Sequence, residues 1–320
     1  MMSGHYSFTS CFAPFIESMI TEKRNAGFQY EHAEWILHKF DEFCNQEQVE
    51  TPVITQELAG KWGTLCKTET KVTLAGRISV LRQLSLYMQA YGIKCYVPRN
   101  FTRKSSRIAY VLSIEEIQSL FLEIDSYQPA INAEVFHRLA LEYRILFRML
   151  FCCGLRVSEA RKLRLDMVDP ENGVLKIYQS KGSNDRLVYL PDDLRQLCCE
   201  YLKIMTVKYK IKSEWFFPAS DPAKVLQVAS VGKRFHRAWE QTPYAREGVL
   251  QPTVHSLRHT FVVLRMNEWM KSGVKLDNMM PYLSKYLGHS SPDDTFYYYH
   301  QVEEAFSIIK QKDQSASFVI

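Results

Sequence analysis

Apolar residues in the first 92 positions recur at helical spacing, which predicts four helices. Three segments carry clear apolar stripes: Phe12, Phe15, Ile16, Met19 and Ile20; Trp35, Ile36, Phe40 and Phe43; and Leu74, Ile78, Leu81, Leu84 and Met88. A shorter helix is expected to begin near Thr55, between the second and third stripes, and Gly92 is expected to end the last helix. The N-terminal part of the chain is therefore predicted to be a four-helix unit.

The pattern after residue 112 is mostly helical with one β signal. Ser113 and Glu116 form a capping-box pattern, and a long apolar helix is predicted over 133–153, ended by Gly154. The stretch GVLKIYQSKGSNDRLVYLP has two β-prone runs around a polar turn, which predicts a hairpin. Further helices are expected after Pro191 and over 226–239, 254–271 and 276–286. The predicted fold class is mainly α with a small β-sheet.

Length and composition fit a globular chain of two domains. The 320 residues are 46% hydrophobic and 23% charged, and no run of 18 apolar residues or signal-peptide pattern is present. Eight scattered cysteines without a CxxC motif argue against a disulfide framework and a zinc site. We therefore expect a cytoplasmic protein with reduced thiols and no membrane partner.

Charge is distributed unevenly along the chain. Residues 1–69 hold 5 Lys and Arg against 10 Asp and Glu, whereas residues 70–112 hold 8 Lys and Arg and no acid. A long stretch of one sign favours a nucleic-acid partner. A solvated helix face followed by a plain tether remains the alternative.

These features predict four segments: an N-terminal domain over 1–95, a basic linker over 96–111, a second domain over 112–302 and a tail over 303–320. The linker lies in a stretch that contains a proline and five basic residues, and it lacks a long apolar pattern. The candidate nucleic-acid contacts are Lys71, Arg77, Arg82, Arg99, Arg103, Lys104 and Arg107.

Four clusters of residues in the second domain have side chains that could take part in catalysis or ligand binding. They contain Arg156 and Glu159; Lys181; His255, Arg258 and His259; and His289 followed by Tyr297, Tyr298 and Tyr299. Each has a simpler explanation, such as a surface ion pair for Arg156 and Glu159. The spacing of His255 and His259 suits zinc, but the expected glutamate is absent and Arg258 lies between them, so an anion site is favoured.

Taken together, the clusters resemble the tyrosine recombinases, the lambda-integrase-like or phage integrase family. GLRVSEA resembles the first arginine box, SKGSNDRLVYLP the hairpin lysine, HSLRHTF the His-x-x-Arg box and LGHSSPDDTFYYYH the last histidine and tyrosine box, in the family's order. The resemblance implies an N-terminal SAM-like four-helix core-binding domain, supported more weakly by the sequence, and an α+β catalytic domain.

The resemblance also implies a site-specific recombinase or integrase that cleaves and rejoins DNA through a 3′-phosphotyrosyl intermediate and a Holliday junction, without ATP, metal or other cofactor. Arg156 and Arg258 would clamp the phosphate, and His289 would donate a further hydrogen bond. His255 would act as proton acceptor or relay and Lys181 as general acid. Glu159 would hold Arg156 or a histidine in place.

The family pattern places the nucleophile nine residues after the last histidine, which corresponds to Tyr298. His300 also fits that box, and Tyr297 and Tyr299 would then be neighbours without a chemical role. The implied partners are double-stranded DNA core sites and a homo-tetramer on two duplexes, with the tail docking on a neighbouring protomer or on its own domain. The alternatives are a type IB topoisomerase and a catalytically silent DNA-binding relative.

Overall fold

The computed structural model describes residues 6–66, 69–99, 109–178, 185–246, 249–289 and 294–295. The chain divides into two compact units, residues 1–107 and 108–320. In the described parts, no helix is both long and apolar enough to cross a membrane.

The N-terminal unit contains four helices. They are α1 (Ala13–Asn25), α2 (Glu31–Gln46), α3 (Gln56–Trp62) and α4 (Lys71–Ala90). The hydroxyls of Thr55 and Thr70 accept hydrogen bonds from backbone N–H groups in the first turns of α3 and α4, which satisfies donors that a helix start leaves without partners. The apolar stripes of the four helices form one core, with Phe12, Phe40 and Leu84 among its most buried members. The four predicted helices are confirmed.

The segment after α4 packs on the N-terminal unit. Cys95 is buried, the backbone N–H of Tyr96 donates to the carbonyl of Ile54 at 2.7 Å, and Arg82 Nη1 donates to the carbonyl of Pro98 at 2.8 Å. The first part of the predicted linker therefore belongs to this unit, because its backbone and side chains have partners there.

The second unit contains seven α-helices in its described parts. They are α5 (Ile114–Ser126), α6 (Glu134–Cys152), α7 (Val157–Ala160), α8 (Asp192–Val207), α9 (Val228–Glu240), α10 (Val254–Lys271) and α11 (Leu276–Leu287). The predicted capping box at Ser113 and Glu116 is present at the start of α5. The buried α6 packs against α8 and α10, which builds the main core around residues such as Phe147 and Trp239.

A small antiparallel sheet has the strand order β1 (Val168–Asp169), β2 (Val174–Ile177) and β3 (Arg186–Tyr189). In the hairpin, Ile177 pairs with Arg186 and Val174 with Tyr189. The predicted hairpin is confirmed, and β1 is a two-residue edge strand that the pattern did not reveal. The fold is mainly α with a small sheet, as predicted.

Candidate active site

Three consecutive backbone carbonyls at the end of α11, those of residues 286–288, each accept a hydrogen bond from a different arginine. Arg186 Nε donates to the first at 2.6 Å, Arg258 Nη2 to the second at 2.8 Å and Arg156 Nη2 to the third at 2.8 Å. Carbonyls at a helix C-terminus lack intrahelical donors and carry partial negative charge, so they suit cations. The end of α11 thus gathers three positive charges.

Arg156 lies at the N-cap of α7, and its position is set by Glu159 one turn later. The Glu159 carboxylate accepts from the backbone N–H of Arg156 and from its Nη1, both at 2.8 Å. The Arg156 side chain remains 22% exposed. Because a guanidinium has five N–H groups, these contacts leave donors for a further ligand on its open side.

Arg258, on the second turn of α10, is almost fully buried, with 1% of its surface exposed. Its Nη1 donates to the carbonyl of Gly154 at 2.6 Å, just beyond the end of α6. Its Nη2, which binds the end of α11, also lies 2.9 Å from Nε2 of His289. The carbonyls of Gly154, just after α6, and of Leu287, at the end of α11, therefore compensate for the cost of burying this cation.

The third arginine, Arg186, was not among the predicted site residues. Its Nη1 and Nη2 bind the two carboxylate oxygens of Glu159 at 3.1 and 2.9 Å, and both side chains are only 5% exposed. A charged residue at the start of a strand usually faces solvent, so the sequence pattern gave no sign of its burial. Only the position of Glu159 and α11 in the folded chain reveals its part in the site.

The balance of charge favours an anion. Three arginines surround the Glu159 carboxylate, since Arg258 Nη1 also lies 4.0 Å from it. Burial raises the pKa of Glu159, but the hydrogen bonds and charge of Arg186, together with the hydrogen bonds of Arg156, outweigh that effect and hold the pKa below its ordinary value. The carboxylate is thus ionised, and the cluster of these four side chains has a net charge of about +2 at neutral pH. Such a site can bind a phosphate.

His255 and His259 lie one turn apart on α10 with ring centroids 4.4 Å apart. His255 is exposed to solvent, yet the surrounding protein atoms, followed by the charges of Arg258 and Arg156, lower its pKa to about 4. Burial, His255 and Arg258 lower the pKa of His259 to about 3. At neutral pH His255 is therefore uncharged and able to accept a proton.

His289 follows α11 and lies between Arg258 and Thr295. Its Nδ1 is 2.7 Å from the Thr295 hydroxyl, while Nε2 faces Nη2 of Arg258. Burial is the main reason that its pKa falls to about 3, followed by the charges of Arg258, Arg156 and Arg186. Because Arg258 can only donate, this geometry makes Nε2 an acceptor and places the proton on Nδ1.

Two glycines allow the close approach of these groups. Gly154 has φ +62°, and a Cβ there would lie 2.5 Å from the ring of Phe261. Gly288 has φ +66°, and a Cβ there would lie 2.9 Å from Nη1 of Arg186 and 3.4 Å from Nη1 of Arg156. A side chain at either position would meet both backbone strain and a steric clash.

The structure thus brings together five of the predicted site residues: Arg156, Glu159, His255, Arg258 and His289. Lys181, the three tyrosines including Tyr298, His300 and the tail lie outside the described residues. The described parts contain no group of three or more His, Cys, Asp or Glu side chains arranged to hold a metal ion.

The described candidates for DNA contact fall into two groups. Lys71 and Arg99 are exposed. Arg77 instead binds both carboxylate oxygens of Glu69, at 3.0 and 2.7 Å, donates to the carbonyls of Trp62 and Thr64, and is only 14% exposed.

Arg77 therefore stabilises its own unit; these contacts count against a role at DNA, which stays a prediction. The acid-free stretch begins at residue 70, so the pattern missed the carboxylate of Glu69. Arg82 is half-buried through its bond to the Pro98 carbonyl, and Arg103, Lys104 and Arg107 lie outside the described residues.

Residues 112–305 match the family model described as the phage integrase family. The chain is 28% identical over 301 residues to y4rB of Sinorhizobium fredii, named as a candidate integrase/recombinase, covering 90% of this chain and 92% of the relative. It is 24% identical over 272 residues to tyrosine recombinase XerC of Thermodesulfovibrio yellowstonii, covering 81% and 82% of the two chains.

A solved structure with a similar fold is the XerH site-specific recombinase bound to a palindromic difH substrate in a post-cleavage complex. The TM-score is 0.64 at 20% identity, covering 93% of this chain and 83% of the other. A lambda integrase dimer bound to a core site gives a TM-score of 0.62 at 16% identity, covering 91% and 95%. At these identities the likeness establishes the fold.

Proposed function

The chain belongs to the phage integrase family of tyrosine-type site-specific recombinases, and we propose that it cleaves and rejoins double-stranded DNA through a covalent 3′-phosphotyrosyl intermediate. The observation that carries this proposal is the convergence of Arg156 and Arg258 with His289 at the end of α11, in a cluster with excess positive charge. The two guanidiniums would stabilise the negative charge that builds on the non-bridging oxygens of the scissile phosphate.

In the proposed reaction, the phenol oxygen of Tyr298 forms a bond to phosphorus as the bond to the 5′ oxygen breaks. The neutral His255 ring accepts the phenol proton, and the ammonium of Lys181 gives a proton to the departing 5′ oxygen. The phosphotyrosyl bond conserves the energy of the broken bond. Attack by a 5′ hydroxyl from a second strand then reverses the step, without ATP.

His289 would engage the phosphate together with Arg258. In the observed geometry its Nε2 accepts from Arg258, so donation from that nitrogen to a phosphate oxygen requires it to carry a proton. The negative charge of a bound phosphate would raise the pKa of His289 and favour that protonation. Glu159 would hold Arg156 through its backbone and side-chain contacts.

The N-terminal unit is the proposed DNA-binding domain, with the basic stretch that begins at residue 70 tracking the phosphate backbone. The exposed Lys71 and Arg99 are the described side chains best placed for this role. Arg82, Arg103, Lys104 and Arg107 remain in the proposal, whereas Arg77 leaves it because Glu69 neutralises its charge.

Recombination between two duplexes would require a homo-tetramer and a Holliday junction. The tail over 303–320 contains a short apolar stripe, Ala305, Phe306, Ile308 and Ile309, which we assign to contact with a neighbouring protomer. Truncation after Val302 should leave binding and cleavage of a single site while recombination fails. Loss of folded protein on truncation would instead place the stripe in the chain's own core.

The test of the proposed function is covalent trapping on a library of nicked duplexes with randomised sequence. A nick close to the scissile phosphate, on its 3′ side, lets the short fragment that carries the new 5′ hydroxyl diffuse away, so the cleaved complex cannot rejoin. The wild-type protein should form a covalent adduct, and mass spectrometry should map it to Tyr298. Tyr297→Phe and Tyr299→Phe should still form the adduct, whereas Tyr298→Phe should not. Absence of any adduct with folded, DNA-bound wild-type protein would contradict the proposal.

A further inference from the structure

Arg186 connects the β-hairpin to the anion site. It is the first residue of β3, and its partner Ile177 is the last residue of β2, so this pair closes the ladder next to the turn. From there the guanidinium reaches both oxygens of Glu159 and the carbonyl of Tyr286. Three N–H groups of one buried side chain thus fasten the hairpin to α7 and to the end of α11.

The contacts of Glu159 show why a second arginine is needed there. Its carboxylate accepts one hydrogen bond from the backbone N–H of Arg156 and one from the Arg156 side chain, and the Glu159 side chain is buried, with 5% exposure. Without Arg186, only Arg156 would hydrogen-bond this buried carboxylate, since Arg258 Nη1 lies 4.0 Å away, and the carboxylate would draw Arg156 toward itself. Arg186 is the second arginine that hydrogen-bonds the carboxylate, so Arg156 also binds the carbonyl of Gly288 and keeps its exposed edge.

We propose that Arg186 is a positioning residue for cleavage: by neutralising Glu159 it keeps Arg156 directed at the scissile phosphate. This inference rests on the proposed recombinase function. The role needs the planar fork of arginine, because one ammonium group cannot bind two carboxylate oxygens and the Tyr286 carbonyl in the same arrangement. Lysine should therefore be a poor replacement.

The experiment measures single-turnover cleavage of the nicked duplex recovered by trapping, at protein concentrations that saturate the DNA. Arg186→Met should cleave at least about tenfold more slowly than the wild type, with DNA affinity changed by less than about threefold, because Arg156 loses its alignment. Arg186→Lys should be nearly as slow. Adding Glu159→Gln to Arg186→Met should restore part of the rate, by about fivefold or more, because the carboxylate no longer competes for Arg156.

The matched control is Arg148→Met. Arg148 binds both carboxylate oxygens of Asp125, at 2.9 and 2.5 Å, in the same unit, and Asp125 is not one of the site residues. This variant loses the same kind of bidentate pair, and its cleavage rate should remain within about threefold of the wild type. Melting curves for all variants identify any that do not fold. If Arg186→Met is the one variant that does not fold, the cleavage rates of Arg186→Lys and the double variant still test the inference.

A second substrate separates the clamp from the general acid. Replacing the 5′ bridging oxygen with sulfur gives a leaving group that needs no proton, so it relieves a defect in proton donation only. Arg186→Met should remain slow on this substrate. Three results would each overturn the inference. The sulfur substrate could restore the full rate of Arg186→Met, Arg186→Met could cleave ordinary DNA as fast as the wild type, or the double variant with Glu159→Gln could be no faster than Arg186→Met. A wild-type protein that forms no adduct would contradict the proposed function instead.

Discussion

Nε2 of His289 lies 2.9 Å from Nη2 of Arg258, while Nδ1 of the same ring lies 2.7 Å from the hydroxyl of Thr295. A guanidinium can only donate, so the two contacts together define the ring as neutral with its proton on Nδ1. His289 and Arg258 are both proposed to bind the scissile phosphate, but in this structure Nε2 of His289 accepts a hydrogen bond from Arg258 instead. Substrate binding must change the hydrogen bonding of both residues.

The first prediction concerns the tautomer of His289. At pH 7, without DNA, the ¹⁵N NMR spectrum should show a protonated Nδ1 and an unprotonated Nε2 for this ring, because Arg258 donates to Nε2. Comparison with His289→Gln assigns the signal. A proton on Nε2 in the free protein would contradict the arrangement.

The second prediction concerns stability against pH. The pKa values of His259 and His289 are both about 3, below the value near 6.5 expected in the unfolded chain. Between these values the unfolded state binds more protons, so stability should fall as pH drops below 6.5 and should not depend on these residues above it. The slope is at most about 1.4 kcal/mol per pH unit for each histidine, and less for the solvent-exposed ring of His255.

Urea unfolding at several pH values from 7 to 5 checks this. His289→Gln should flatten the fall below pH 6.5, whereas His236→Gln, at an exposed position of α9, should leave it unchanged. Equal slopes for the wild type and His289→Gln would argue that the His289 ring is protonated in the folded state.

The helices were predictable because their determinants are local. The apolar spacing of α10 predicted 254–271, the limits observed, and Ser113 with Glu116 marked the start of α5. The burial of Arg186 was not predictable, since it depends on a carbonyl 100 residues away in sequence. The ion pair of Arg77 was missed for a related reason: a count of charges along the chain does not reveal that Glu69 folds back onto this arginine.

The third prediction separates Lys71 and Arg99 from Arg77. DNA affinity should fall with salt, and the double variant Lys71→Gln/Arg99→Gln should reduce the slope by about 0.9 log unit for each phosphate that the variant no longer binds. Arg77→Gln should leave the slope unchanged but lower the free energy of unfolding by roughly 2 kcal/mol, because Glu69 loses its bidentate partner. Binding titrations at four salt concentrations and urea unfolding measure both effects. An unchanged slope in the double variant would remove these two residues from the interface.

The fourth prediction compares two glycines with left-handed backbone angles. Gly273 has φ +78° with no atom within 4 Å of a Cβ, whereas a Cβ on Gly288, at φ +66°, would lie 2.9 Å from Nη1 of Arg186. Gly273→Ala should therefore show the backbone cost alone, about 1–2 kcal/mol in the free energy of unfolding, and should cleave DNA normally. Gly288→Ala should bear the same cost and also displace the guanidinium of Arg186.

That displacement should lower the cleavage rate of Gly288→Ala by about tenfold to a hundredfold, since small shifts of groups that align a reacting phosphate have large effects on rate. Single-turnover cleavage of a nicked duplex, measured below the melting temperature of both variants, gives the comparison. If the two alanine variants cleave at equal rates, Arg186 moves without consequence, and the packing around Gly288 matters for stability alone. A slow Gly288→Ala beside a normal Gly273→Ala would mean that DNA cleavage requires the arginines to keep their contacts with the carbonyls at the end of α11.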